Sequence, residues 1–381
     1  MKFTFPIAEM VRTLNVLGKV IQKSCPMPIV QNVLITKPDP KEEVYLMTAG
    51  SAESMMTIKV NITMVDGTAF KPICIPHGQF LQVLSALPEQ PITVEVDDKT
   101  REIKVHYDGG EFAFAGFGTD EYPVLKSSHT NLVTVSVPTD ILLPCVSNAL
   151  LASAKKSELR PVLSSVYLDI KDDGITFVGT DGHNLFRYVW EHGVPFITEG
   201  KAAGVAVPNI FVSALLSAFD KVSEVEISFD GYCCTVSADN ITFIFSTSEQ
   251  RYPNYSSVIP KEQPYHITLD RDRLKQSLRR VSMMASEANN LVKLTKQADG
   301  LLLEAVDVDF ARSANELVPL GEDSNIPDGF TIGMKSSSLM NMLSPIASTN
   351  VVLKLIDASH ALVLTEEGNS ALICMVIPMV V

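Results

Sequence analysis

Apolar and polar residues alternate in short runs along most of the chain. Stretches such as VYLDI (166–170), GITFVGT (174–180), EVEISFD (224–230), ITFIFSTS (241–248) and ALICMVIP (371–378) are rich in Val, Ile, Phe and Thr and are bounded by Gly, Asp and Asn, as β-strands are. Helical periodicity surfaces in only six places: FTFPIAEMVRTLNVLGKV, CIPHGQFLQVLSAL, VSVPTDILLPCVSNALLASAKK, AVPNIFVSALLSAF, ITLDRDRLKQSLRRVSMMAS and GMKSSSLMNMLSPI. Each follows a short apolar strand and opens on a Pro, Asp, Ser or similar starter. The pattern predicts an α+β chain built from six copies of one strand-to-helix unit.

The spacing of these units is regular. Thr4, Ser136 and Thr268 hold equivalent places in units one, three and five, at steps of 132 residues. Ile75 and Val207 also stand 132 apart, whereas Val207 to Gly333 is 126, so the last third is about six residues shorter. A second marker agrees: MTAGSAE, VGTDGHN and EAVDVDF align on Thr48, Thr180 and Val306 at the same two steps. Tyr122-Pro123, Tyr252-Pro253 and Ile377-Pro378 close the three thirds. One domain is therefore expected three times, over residues 1–128, 129–260 and 261–381, each copy made of two halves.

Composition narrows the class. The chain has 381 residues, 46% of them apolar, enough for several cores. Its six cysteines (Cys25, Cys74, Cys145, Cys233, Cys234, Cys374) form no CxxC pair and read as reduced, mostly buried thiols, as in a cytoplasmic protein. The amino terminus lacks a signal-peptide run and no window reaches the ~18 apolar residues of a membrane span, so no membrane association is expected.

The segment GTDGHNLF (179–186) packs Thr180, Asp181 and His183 around Gly182, which raises a catalytic or metal site. Its counterparts TAGSAE and VDVDFA lack the histidine, so it reads first as a strand-to-strand turn. His77, His106, His129, His192, His266 and His360 are scattered singly, without the spacing of a ligand set. Phosphate-loop, dinucleotide and nucleophile-elbow motifs are missing from the sequence. No catalysis, metal or cofactor is expected.

Net charge is −13, from 31 basic and 44 acidic side chains, which by itself argues against a nucleic-acid coat. Locally the picture changes. Met10, Leu14, Leu17 and Ile21 share one stripe of the first helix, with Arg12, Lys19 and Lys23 on the opposite side. In the fifth helix Leu274, Leu278 and Val281 form the apolar face, opposed by Arg279 and Arg280 with Arg273 and Lys275 beside them. Lys155 and Lys156 end the third helix. Cations gathered on several repeated helices of an acidic chain are the footprint of phosphate-backbone contact.

The opening MKFT, the PIVxNVLI run from Pro28, GTDGHNL from Gly179, RYPNYSSVIP from Arg251 and the ending VIPMVV resemble the bacterial sliding clamps, the beta subunits of DNA polymerase III. The resemblance spans the whole chain. It implies the DNA clamp fold, three similar domains with helices inside and sheets outside a closed ring of two head-to-tail subunits. Double-stranded DNA would then be held topologically, without sequence preference. It implies that Arg12, Lys19, Lys23, Lys155, Lys156, Arg273, Arg279 and Arg280 face the duplex, and that Phe112 and Phe114 meet Met283 and Met284 across a homodimer interface. It further implies an apolar cleft for the linear motifs of the replicative DNA polymerase catalytic subunit, the clamp loader, and other polymerases and repair proteins. The matching cleft positions are Leu163, Thr180, Gly182, His183, Asn184, Leu185, Pro253, Val258, Met375, Ile377, Pro378 and Met379. In that scheme Gly182 permits close backbone approach, Leu163, Leu185, Val258 and Ile377 are apolar walls, and Thr180 and His183 offer rim hydrogen bonds. Asn184 stands where the family usually has Arg, and Val380 replaces a second Arg in the tail.

Three other readings are open on residues alone: a monomeric scaffold, an open DNA-binding repeat protein that never encircles DNA, and a hydrolase using His183 with Asp181. Phe112 and Phe114 could equally face their own domain's core.

Overall fold

The computed structural model describes residues 1–22, 27–125, 133–156, 159–193, 197, 202–248, 250–321 and 323–381. Lys23, Cys25, His129 and the expected boundary at 128 lie outside these residues. The first third runs β1 (Lys2–Phe5), α1 (Ile7–Leu17), β2 (Asn32–Thr36), β3 (Tyr45–Gly50), β4 (Ser54–Val60), β5 (Thr63–Met64), β6 (Ile73–Pro76), α2 (His77–Ser85), β7 (Ile92–Val96), β8 (Glu102–Tyr107) and β9 (Gly110–Ala115). The middle third runs β10 (Val133–Pro138), α3 (Thr139–Ala152), β11 (Ser165–Lys171), β12 (Gly174–Thr180), β13 (Asn184–Glu191), β14 (Ala203–Pro208), α4 (Asn209–Ala218), β15 (Glu224–Phe229), β16 (Cys233–Ala238) and β17 (Ile241–Ser246). The last runs β18 (Tyr265–Asp270), α5 (Arg271–Ser282), β19 (Leu291–Gln297), β20 (Gly300–Asp307), β21 (Arg312–Pro319), β22 (Thr331–Lys335), α6 (Ser336–Leu343), β23 (Asn350–Leu355), β24 (Leu362–Glu366) and β25 (Asn369–Val376).

The repeat read from the sequence is built into the elements. Helices α1, α3 and α5 begin at residues 7, 139 and 271, and α2 and α4 at 77 and 209, all at the 132-residue step. The fold is α+β, as the strand-rich pattern implies.

Compactness groups the chain into two units, each considered on its own. The first comprises Met1–Asp140, Ile197–Gly200 and Ile210–Thr247, the second Ile141–Phe196, Lys201–Asn209 and Ser248–Val381, over the described residues. The first unit holds a sheet of order β5-β1-β7-β8-β9 and an eight-stranded sheet of order β10-β15-β16-β17-β4-β3-β2-β6. The second holds an eight-stranded sheet, β14-β11-β12-β13-β25-β24-β23-β18, and a four-stranded one, β21-β20-β19-β22. In each eight-stranded sheet, halves from two different thirds join edge to edge. At one join β17 pairs antiparallel with β4, Phe243 opposite Met56. At the other β13 pairs with β25, Leu185 opposite Met375.

The helices cover one face of these sheets with the stripes anticipated above. Met10, Leu14 and Leu17 of α1 are buried while Arg12 is exposed; Leu274, Leu278 and Val281 of α5 are buried while Arg273 and Arg279 are exposed. Asp270 caps α5, its carboxylate accepting the Arg273 N–H at 2.7 Å. Cys74, Cys145, Cys234 and Cys374 are buried, and burial pushes the first two thiols up to about 12 and the others higher. Thiols held protonated in this way are poor nucleophiles.

Candidate functional site

The GTDGHNLF turn joins β12 to β13 in the second unit, and its polar groups close on themselves. The Asp181 carboxylate accepts the N–H of His183 (2.8 Å) and of Asn184 (2.6 Å) and the Asn184 side-chain amide (2.8 Å). Thr180 donates its hydroxyl to the Asn184 carbonyl at 2.6 Å and accepts the Gly182 N–H at 3.1 Å. Asp181 is thus the keystone of a turn, its carboxylate engaged by the N–H groups of His183 and Asn184. Among the described residues no group of three or more His, Cys, Asp or Glu could hold a metal ion.

The glycines of the segment have separate causes. A Cβ at Gly179 would sit 1.9 Å from the Ala149 carbonyl oxygen, so α3 packs directly on β12 only because the side chain is missing. Gly182 has φ +90° with open space around it, so backbone conformation rather than close approach within the chain demands glycine there.

Behind the turn lies a buried apolar cluster of Val162, Val178, Leu185, Ala206, Tyr252, Val363 and Met375, with Tyr167, Tyr255, Ile259 and Ile373 packed against it. Tyr252 stacks on Tyr167 with ring centroids 4.4 Å apart. The carboxyl-terminal segment is strapped beside it. The Ile377 N–H donates to the His183 carbonyl and the Met379 N–H to the Gly333 carbonyl, both at 2.8 Å. A Cβ at Gly333 would meet the Val381 side chain at 2.6 Å, so this glycine on β22 makes room for the tail.

The expected cleft residues therefore fall into different roles. Val258, Ile377 and His183 are exposed, and Pro253, Pro378 and Met379 half-buried. Leu185 (1% exposed) and Met375 are buried inside the apolar cluster. Leu163 is buried, but its neighbour Val162 is the one that joins the cluster. Asn184 is buried and locks the turn, so it does not stand at an edge; Thr180 likewise has its hydroxyl engaged inside the turn. Val363 and Ile373 were not anticipated, because their strands reach the cluster only through the β13–β25 join. The Tyr252-Pro253 marker was the sequence signal for Tyr252.

The basic candidates also separate. In the first unit Arg12 and Lys19 line a groove of about 1110 Å³ beside α1, joined by Lys59 and Lys221, which the helix pattern missed, with Glu9, Asp220 and Asp239 among its acids. In the second unit Lys155, Lys156, Arg273 and Arg279 are exposed. Arg280 is committed elsewhere: its guanidinium donates to both Glu316 oxygens, at 2.9 and 2.5 Å, and to Ser277. The Arg280 and Ser277 hydrogen bonds hold the Glu316 carboxyl at about 2. Its folded value lies below the usual ~4.3, so this tie between α5 and β21 stabilises the fold above that pH and is lost as pH falls toward 2. Glu316→Gln should lower the melting temperature at pH 7 and much less at pH 2.5; an equal loss at both would refute the charged tie.

Of the edge candidates, Phe112 stacks on Tyr107 at 5.3 Å and is 36% exposed, while Phe114 rests 6.4 Å from the buried Phe80 and so belongs partly to its own core. Met283 and Met284, after α5, are 61% and 37% exposed.

Comparison with known proteins extends this picture. The family model of the DNA polymerase III beta subunit N-terminal domain matches residues 1–126 and 133–256, and that of the C-terminal domain matches residues 256–380. The curated beta sliding clamp of Synechocystis sp. is 25% identical, covering 96% of this chain and 95% of its own. That of Staphylococcus aureus (strain MW2) is 23% identical over 99% of each. Solved structures with the same fold include the Pseudomonas aeruginosa sliding clamp bound to griselimycin (TM-score 0.89, 19% identity, 100% of each chain). The Bacillus subtilis clamp matches at TM-score 0.89 and 19% identity, covering 100% of this chain and 99% of its own. The Helicobacter pylori beta clamp bound to a DNA ligase peptide matches at TM-score 0.88 and 18% identity, over 100% of each chain.

Proposed function

Because the chain belongs to the DNA polymerase III beta subunit family, we propose that it is a processivity factor: two copies close head to tail into a ring around duplex DNA, and the apolar cleft tethers a polymerase and other partners to it. Its three thirds, 1–128, 129–260 and 261–381, are the three clamp domains of each subunit. Retention then comes from topology, so attraction to DNA can stay weak and sequence-independent. Arg12, Lys19, Arg273 and Arg279, with Lys59 and Lys221, supply that attraction, and Arg280 serves the fold instead.

The observation that carries the ring is a mismatch in the sheets. By the repeat, β9 is the counterpart of β17 and β25, and β21 the counterpart of β4 and β13. Of these, β17 pairs with β4 and β25 with β13, whereas β9 and β21 end their sheets with no strand beside their outer edges among the described residues. A third join between β9 of one chain and β21 of another would complete the series and cover two bare strand edges. The cleft reading is supported by the exposed apolar rim over a preformed apolar floor, and by the ligase peptide bound to the Helicobacter pylori relative.

The test is retention on DNA. Protein loaded on nicked circular DNA should stay bound through a high-salt wash and be lost when the circle is cut. Attachment surviving linearisation would favour an open DNA-binding protein. Neutralising Arg12, Lys19, Arg273 and Arg279 should flatten the salt dependence of loading by about one unit of slope per phosphate contact removed.

A further inference from the structure

The outer face of the second unit's large sheet carries a row of directly opposed residues. Leu185 on β13 faces Met375 on β25, Met375 faces Val363 on β24, and Val363 faces Lys354 on β23. The floor of the cleft therefore runs without interruption from Leu185 to a lysine. Strands lie about 4.8 Å apart, so three steps separate Leu185 from Lys354 by about 14 Å.

At the far end of the row is a second cavity, of about 490 Å³, lined by Ile259, Lys261, Lys354, Val363, Thr365 and Ile373 among others. It shares Val363, Ile373 and Ile259 with the apolar cluster of the cleft. Its charge is net positive, two ammonium groups against one carboxylate. Neither Lys261 nor Lys354 has an ion-pair partner among the described residues. Its acid, Glu366, is already engaged by the N–H groups of Ala347 (2.5 Å) and Ser348 (3.3 Å) and by the Asn369 amide (2.7 Å). The neighbour of Lys354 on β18, His266, lies 3.0 Å from the Asp323 carboxylate. Thr365 is 7% exposed, and its hydroxyl has no hydrogen-bond partner among the described residues. An unpaired buried hydroxyl in a cavity that also holds two ammonium groups is costly as it stands and would be satisfied by an incoming anionic oxygen.

We propose that this cavity is an acidic-residue subsite of the docking cleft: it receives the carboxylate of a partner peptide whose apolar anchor sits over Leu185. The inference rests on the cleft reading above. An extended peptide advances about 3.3 Å per residue, so the acidic residue lies about four positions from the anchor. Lys354 and Lys261 pair with the carboxylate, and a χ1 rotation of Thr365 donates to it. The cleft thus reads an acidic residue at a fixed distance as well as apolar fit.

Fluorescence anisotropy tests this with labelled synthetic peptides bearing Leu and Phe anchors and either Glu or Gln four residues away, on each side in turn. Wild type should bind one Glu peptide about two- to fivefold more tightly than its Gln twin, as partly exposed ion pairs allow. That preference should vanish in Lys354→Gln/Lys261→Gln and shrink in Thr365→Val, with the Gln peptide bound equally by all three proteins. Equal binding of Glu and Gln peptides by wild type would remove the subsite and leave the cleft intact. A preference surviving in the double lysine variant would place the cation elsewhere and also overturn the subsite. Failure of wild type to bind any of the peptides would overturn the cleft reading, and the subsite with it.

Discussion

A chain carrying Glu111→Cys and Ser313→Cys should become a covalent dimer under mild oxidation, at twice the chain mass in denaturing gels, while either single variant stays monomeric there. The register is taken from the join of β17 with β4 within the chain. Gly110 closes the β8–β9 turn opposite Tyr107 as Ile241 closes the β16–β17 turn opposite Ala238, and Ser313 faces Val306 as Thr57 faces Thr48. Thr242 pairs with Thr57 at the first join. By the same register Glu111 should face Ser313 of the partner subunit, at the ~4.5–5.5 Å Cα separation of opposed antiparallel residues, which a disulfide can span. Both positions are exposed, so neither substitution disturbs a core.

The complementary variant, Phe112→Asp with Met284→Asp, should halve the particle mass in light scattering and abolish retention on circular DNA. Each apolar anchor buried at such an interface contributes about 1.5–3 kcal/mol, and a charge there adds a desolvation cost. Phe114 is the poorer probe because it rests against Phe80. A particle still at twice the chain mass in this variant, with no cross-link in the cysteine pair, would place the interface elsewhere.

Charged substitutions on the cleft rim should separate docking from ring formation. Ile377→Asp and Val258→Asp, at 41% and 55% exposure, should each weaken an apolar peptide about ten- to hundredfold and leave dimer mass and DNA retention unchanged. Deleting Met379–Val381 removes the bridge to Gly333 and should have a similar effect. Leu185→Asp behaves differently. It places a carboxylate in a site 1% exposed among Val162, Val178 and Met375, so it should unfold the second unit's outer layer rather than merely block docking. Peptide affinity retained in both rim variants would put the docking surface on another face.

The sequence by itself determined the local units and their recurrence. Apolar stripes at helical spacing placed Met10, Leu14 and Leu17 inward and Arg12 outward, and the 132-residue step recurs in the helix starts at 7, 139 and 271. These properties depend on residues a few positions apart, so a linear pattern carries them. Three things were decided only by tertiary structure. Strands β17 and β4, and β13 and β25, are joined by backbone hydrogen bonds across more than a hundred residues, and alternation tells which face of a strand is apolar, never which strand lies beside it. That is why Val363, Ile373 and Lys354 were missed, although they continue the floor that Leu185 begins. Arg280 looked like any exposed cation until β21 brought Glu316 against it. Asn184 and Thr180 looked like rim groups until the turn folded their polar atoms onto Asp181 and each other, because a buried amide or hydroxyl takes the nearest partner available.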